Sequence, residues 1–143
     1  MQIQDKMTKN VVSIEPQETI GKAAQLMREY NIGSLPVCEG QNVVGIITDR
    51  DIALRCVAEG KNNVSVKDVM TSEPITIESE KNIHEAANLM SSRQIRRLPV
   101  VENNNLVGMI SLGDIAVEPN LTNKAGAALK DISTPSVPEQ PYI

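Results

Sequence analysis

Shifted by 63 residues, the chain matches itself without a gap, residues 5–54 falling on 68–117. Met7, Thr8, Ile14, Ile20, Ala23, Ala24 and Met27 recur as Met70, Thr71, Ile77, Ile83, Ala86, Ala87 and Met90. Leu35, Pro36, Val37, Gly45 and Asp51 recur as Leu98, Pro99, Val100, Gly108 and Asp114. More than twenty identities over 50 aligned positions are beyond coincidence. The fold must therefore be built from two copies of one unit, each too short to be a comfortable domain alone.

Each copy reads the same way. Residues 11–14 and 75–77 are short extended segments. Thr19 and Asn82 are helix N-cap types, and Asn82 with Glu85 makes a capping-box pair. Ile20, Ala23, Ala24 and Met27 then fall at i, i+3, i+4 and i+7, as do Ile83, Ala86, Ala87 and Met90, which predicts one apolar helix face per copy. Leu35-Pro36-Val37-Cys38 and Leu98-Pro99-Val100-Val101 read as buried strands. Turn signals at Gly40-Gln41-Asn42 and Asn103-Asn104-Asn105 return the chain as residues 43–48 and 106–111, the hairpin partners. A second helix follows from about Asp51 to Glu59, stopped by Gly60; its counterpart after Asp114 is cut short by Pro119.

The expected class is α/β (α+β): two pseudo-symmetric strand-helix-strand-strand-helix repeats packed through their sheets. The first repeat covers residues 3–59, a linker 60–66, and the second repeat 67–118. Residues 119–143 add a C-terminal helix, over about 121–132 with Ala125, Ala128 and Leu129 on one side, and a proline-rich tail from Thr134 without regular structure.

Composition removes several functions. Tyr30 and Tyr142 are the sole aromatic residues, so base stacking, the usual grip on single-stranded nucleic acid, is all but missing. A net charge of −4 and a pI near 5.0 argue against phosphate-backbone binding. No apolar run reaches membrane-span length and the N-terminus does not read as a signal peptide, so a cytoplasmic protein is expected. The two cysteines, Cys38 and Cys56, are far apart and read as reduced, partly buried thiols. The lone histidine, His84, sits at a helix start facing water, with nothing nearby to complete a catalytic set. Neither a metal site nor an enzyme is expected.

Two stretches carry chemistry: Gly45-Ile46-Ile47-Thr48-Asp49-Arg50-Asp51 and Gly108-Met109-Ile110-Ser111-Leu112-Gly113-Asp114. Each places a hydroxyl three residues before an aspartate, where a strand enters a helix. One reading is a capping box that satisfies helix N–H groups with no ligand. The other is a ligand site: free backbone donors and the hydroxyl suit an anion such as phosphate, and the carboxylate can accept from the vicinal hydroxyls of a ribose. The glycine then allows a ligand close to the strand.

The tandem unit, with LPV, a turn and GII[ST]xxD before a helix, resembles the CBS domain (named for cystathionine beta-synthase). Two in tandem resemble a CBS pair, or Bateman module, of the small stand-alone bacterial kind, over roughly residues 3–118. The resemblance implies a regulatory adenosine-containing ligand, most simply AMP, ADP or ATP, bound in clefts between the repeats, with no cofactor required. By position it assigns ribose and phosphate to Thr48 and Asp51 in one half and Ser111 and Asp114 in the other. The two residues before LPV face the phosphates: Gly33 and Ser34 in one repeat, Arg96 and Arg97 in the other, with Arg50 a further cation. The adenine walls fall around Val11, Val12 and Ile14, and around Pro74, Ile75 and Ile77. Because two guanidinium groups favour a multiply charged phosphate, the site on Ser111 and Asp114 is the stronger one. A homodimer is expected, with the helix faces ending in Met27 and Met90 as candidate contacts. The alternative is a ligand-free dimerisation or partner-binding module. Inosine monophosphate dehydrogenase carries such a pair as an insert, but this chain has room for the insert alone.

Overall fold

The computed structural model describes residues 1–135, and the expected tail lies, past residue 135, outside the described residues. Its elements are α1 (Ile20–Tyr30), β1 (Ser34–Glu39), β2 (Asn42–Thr48) and α2 (Asp49–Asp51, continued as a wider π-type coil over Ile52–Val57). There follow β3 (Thr71–Ser72), β4 (Ile77–Glu78), α3 (Ile83–Arg93), β5 (Arg97–Glu102), β6 (Asn105–Ser111), α4 (Leu112–Ala116) and α5 (Thr122–Ser133). The mixed α/β class is thus what forms. These elements group into two compact units that do not follow the order of the chain. The first unit holds Asn10–Thr76 and Val101–Val107; the second holds Met1–Lys9, Ile77–Val100 and the described residues from Gly108 onward. Residues 1–9 therefore help to build the unit of the second repeat, and their counterparts 64–72 that of the first.

In the first unit, β1 and β2 form an antiparallel hairpin with Leu35 opposite Ile47 and Glu39 opposite Asn42. Gly40 takes φ +62 in its two-residue turn, a conformation open to glycine without steric penalty. The extended segment 11–14 contributes a single parallel bridge, Ile14 to Val37. Thr19 caps α1 by accepting from the Lys22 N–H at 3.1 Å. Three of the four residues of the expected α1 face are buried, Ile20, Ala23 and Met27 packing with Leu35, Val37 and Ile47, whereas Ala24 is exposed and Leu26 is the partly buried neighbour instead. Each large aliphatic side chain so buried stabilises the fold by roughly 1.5–3 kcal/mol. The second helix ends at Val57 with Ala58 as its C-cap, two residues short of the expected Glu59, and Gly60, at φ +70, sits in the turn that follows. The stretch expected as a linker is strapped down at its end. Ile20 N–H donates to Val64 O at 3.2 Å, Val66 N–H to Glu18 O at 2.8 Å, and the Val66 side chain is fully buried.

In the second unit the opening segment is held equally firmly. Ile3 is fully buried, and Thr8 and Met109 exchange backbone hydrogen bonds of 2.8 and 2.9 Å. Asn82 and Glu85 form the expected capping box at α3, and His84 beside them is exposed. Pro119 does follow a shortened α4. Helix α5 buries Ala125 and Ala128 against α3 and α4. Leu129, expected on that face, is 50% exposed, and Leu121 fills the place at 4%. The buried stripe runs 121, 125, 128, spaced i, i+4, i+7, and position 129 falls off it. Met27 and Met90, expected as candidate dimer contacts, are instead core residues of their own units.

Candidate functional site

Each hairpin hands the chain to its following helix through the same local device. Thr48, extended at φ −116 and ψ 162, accepts the Asp51 N–H on Oγ1 at 3.0 Å, while Asp51 Oδ2 accepts the Thr48 N–H at 3.0 Å. Ser111, at φ −118 and ψ 162, accepts the Asp114 N–H on Oγ at 3.2 Å, and Asp114 Oδ2 accepts the Ser111 N–H at 2.8 Å. Both capping boxes are complete. They use one carboxylate oxygen and one hydroxyl lone pair each, so capping leaves donor and acceptor capacity for a ligand. Asp51 Oδ1 stands 3.8 Å from Arg55 Nε. Asp114 Oδ1 has no such cation beside it among the described residues. Both aspartates are half-buried.

The residues before each LPV are tied to these junctions through the backbone. Asp49 N–H donates to Gly33 O at 2.9 Å, and Leu112 N–H donates to Arg96 O at 2.8 Å. Ser34 lies opposite Thr48 in the hairpin register. Thus Arg96 and Arg97 stand next to Ser111, exposed and without an ion pair among the described residues. Arg50 is also exposed, its N–H held by Asp49 Oδ1 at 2.8 Å.

The expected adenine walls are only partly available. Val11 and Val12 are half-buried. Ile14 is committed to the core at 5% exposure, and its N–H and carbonyl are taken by Pro36 O and Cys38 N–H. Ile77 is likewise buried, at 8%. Pro74 and Ile75 are half-buried and belong to the first unit, whereas Ser111, Asp114, Arg96 and Arg97 belong to the second. The motif glycines do not leave room for a ligand. A Cβ on Gly108 would stand 2.5 Å from Met7 Sδ and 2.8 Å from Thr8 O; on Gly45 it would collide with Met70 Sδ and lie 3.0 Å from Thr71 O. The close approach that glycine permits there is made by the chain's own exchanged segment.

In the sequence, Leu112-Gly113 in place of Asp49-Arg50 marks the two junctions as inequivalent, but not what Asp49 stands beside. Asp49 Oδ2 lies 3.1 Å from where a Cβ on Gly33 would stand. The repeat alignment pairs Gly33 with Arg96 and Asp49 with Leu112, two differences that look unrelated until the backbone bonds bring them together. No group of metal-ligating side chains occurs among the described residues. Burial pushes the Cys38 thiol pKa up, with a Ser13 hydrogen bond opposing it and the Glu15 charge adding to it.

The chain matches the CBS domain twice, over residues 2–57 and 66–119. It is 43% identical over 132 residues to the CBS domain-containing protein YhcV of Bacillus subtilis, covering 92% of this chain and 94% of that one. The CBS domain pair of protein MJ0100, crystallised with 5′-methylthioadenosine and S-adenosyl-L-methionine, superposes with a TM-score of 0.74 at 29% identity, over 81% of this chain and 93% of that one. CBSX2, crystallised with AMP, superposes with a TM-score of 0.72 at 27% identity, over 86% and 98%.

Proposed function

The chain belongs to the CBS-domain family, as a tandem pair of repeats, and from that premise we propose that it is a regulatory sensor that binds an adenosine-containing ligand and performs no chemistry of its own. The observation that carries this reading is the recurrence of one hydroxyl–aspartate pair, Thr48 with Asp51 and Ser111 with Asp114, at matching backbone angles in both units. The free carboxylate oxygen accepts from a ribose hydroxyl, and the Ser or Thr O–H donates to the 5′ substituent. Arg96 and Arg97, exposed and unpaired beside Ser111, add charge-assisted bonds to phosphate. Val11, Val12, Pro74 and Ile75, all half-buried and all in the first unit, supply apolar surface for adenine there. AMP, ADP and ATP are the natural first ligands, which makes cellular energy charge the signal.

The output is a change in how two copies or a partner are arranged. A homodimer is part of the proposal. Since Met27 and Met90 are buried, its contacts draw on residues such as Leu54 and Val57, which are 50% and 68% exposed. Two free, buried thiols suit a reducing cytoplasm; no helix among the described residues is long and apolar enough to cross a membrane.

The complete capping boxes favour a second reading, a ligand-free dimerisation or partner-binding module. Native mass spectrometry of the purified protein, with thermal unfolding in AMP, ADP and ATP, separates the two. A ligand bound by the native state alone must raise the unfolding temperature. A chain without copurified adenosyl ligand, and with unchanged unfolding at millimolar nucleotide, would leave the second reading standing.

A further inference from the structure

The two hydroxyl–aspartate sites share a backbone and differ in the charge carried at one corresponding place. Beside Ser111, the Arg96 side chain starts from a residue whose carbonyl accepts the Leu112 N–H, and Leu112 is buried at 8% exposure. Beside Thr48 the same hydrogen bond joins Gly33 and Asp49. Here the side chain has moved to the other partner of the bond. Gly33 offers none, and the Asp49 carboxylate fills the space into which a residue-33 side chain would begin, 3.1 Å from its would-be Cβ. A carboxylate stands where the other unit roots a guanidinium. The second arginine is replaced as well, since Arg97 corresponds to Ser34, which is buried. Asp49 and Asp51 bracket Arg50 at this site, and Asp51 keeps Arg55 as a neighbour.

We infer that the site on Thr48 and Asp51 takes an adenosyl ligand without phosphate, neutral or cationic at its 5′ position, while the site on Ser111 and Asp114 takes the nucleotide. The inference rests on the reading that Thr48 and Asp51 hold a ribose. A 5′-phosphate beside Asp49 meets like charge, whereas a 5′-sulfonium or thioether does not. One chain then reads two classes of adenosine compound at once, phosphorylated in one unit and unphosphorylated in the other.

Titration calorimetry on the full chain tests it with AMP, ATP, 5′-methylthioadenosine and S-adenosylmethionine. Asp114→Ala leaves the Thr48 site alone in play, and this variant is expected to bind S-adenosylmethionine and 5′-methylthioadenosine more tightly than AMP or ATP. Adding Asp49→Asn, which leaves the capping box intact, should then improve AMP binding by about tenfold relative to S-adenosylmethionine, a difference of about 1.4 kcal/mol. If the Asp114→Ala chain prefers AMP or ATP, or if Asp49→Asn leaves the ratio of the two ligands unchanged, the inference is overturned while the adenosine-sensor reading stands. If the unaltered chain binds none of the four compounds, both fall together. Circular dichroism and unfolding midpoints on each variant confirm that the proteins compared are folded.

Discussion

Lys6 Nζ meets Glu118 Oε1 at 2.5 Å, and by the 63-residue shift these two stand in the places of Val69 and Arg55. There Arg55 Nη1 donates to the Val69 carbonyl at 3.2 Å. The same tether, from the end of the helix after the hairpin to the exchanged segment, is thus an ion pair in one unit and a side chain to backbone bond in the other. Neither contact is encoded by identity between the repeats. What is preserved is the need to hold residues 1–9 and 64–72 in place.

The two tethers should respond differently to salt. Glu118→Gln is expected to lower stability by roughly 0.5–1 kcal/mol in dilute buffer, as partly exposed ion pairs do. In 1 M NaCl, where the Debye length is about 3 Å, most of that difference should vanish. Arg55→Ala loses a hydrogen bond to a neutral carbonyl and should keep most of its penalty. Urea unfolding at both salt concentrations measures it, and equal salt sensitivity of the two variants would refute the distinction.

Gly108→Ala should destabilise the protein by roughly 1–3 kcal/mol, the usual range for overpacking. Its Cβ meets Met7 Sδ at 2.5 Å and Thr8 O at 2.8 Å. Methionine can retreat, but the backbone oxygen, bonded to Met109 N–H, cannot. Met7→Ala in the same chain should therefore restore only part of the loss. A double-mutant cycle reads the coupling; full rescue would mean that Thr8 O does not matter.

Gln94 connects α3 to the end of α5. Its Nε2 donates to Asp131 O at 3.0 Å and to Thr134 O at 2.7 Å, satisfying carbonyls that a helix end leaves open. Gln94→Ala should cost roughly 0.5–1.5 kcal/mol per hydrogen bond removed and loosen the last turn of α5. Hydrogen exchange should quicken at residues 130–134 and stay unchanged in α1. Unaltered exchange there would show that packing of Ala125 and Ala128 suffices.

Cys38 sets an alkaline limit. Because burial raises its folded-state pKa, the unfolded chain gives up the thiol proton first as pH climbs. The associated stability is present in full below the unfolded value and is lost as pH rises through it towards the folded one. Cys38→Ala should flatten the decline of stability on the alkaline side, a comparison that unfolding midpoints across that range provide. An identical slope in both proteins would rule the thiol out.

Legibility in the sequence followed the range of the interaction. The caps at Thr19, Asn82, Thr48 and Ser111 each join residues two or three apart, so the order of residue types was enough to see them. The apolar stripe of α1 was equally plain, but periodicity tells only that a face is covered, not by what. Met27 looked free to meet a second copy, and Leu35 and Val37 of its own unit cover it. The meaning of Gly45 and Gly108 was hidden for the same reason. Their neighbours Met70 and Met7 come from far along the chain, and a motif cannot say which distant segment comes close. Asp49 stood out as a departure from the repeat, but its partner stayed hidden because Gly33 is defined by an absent side chain.

Asp114 and Arg97 test the nucleotide site of the second unit. Asp114→Ala removes the carboxylate edge offered to ribose, where each charge-assisted hydrogen bond is worth roughly 1.5–3 kcal/mol. Nucleotide binding should weaken by at least about tenfold, since 1.4 kcal/mol is a factor of ten. The same change deletes the bonds to the Ser111 N–H at 2.8 Å, so stability should drop by roughly 0.5–2 kcal/mol as a capping partner is lost. A weaker affinity in that variant alone is therefore ambiguous. Arg97 resolves it: exposed, outside the cap and without an ion pair among the described residues, it can be removed without harm to the fold. Arg97→Ala should leave the unfolding midpoint within experimental scatter, leave adenosine binding nearly unchanged and weaken AMP and ATP together. Calorimetry with the three ligands gives the ratio directly. Should the preference for nucleotide over adenosine survive the loss of Arg97, the phosphate does not lie against this arginine, and the charge that favours it must come from Arg96 or from the backbone.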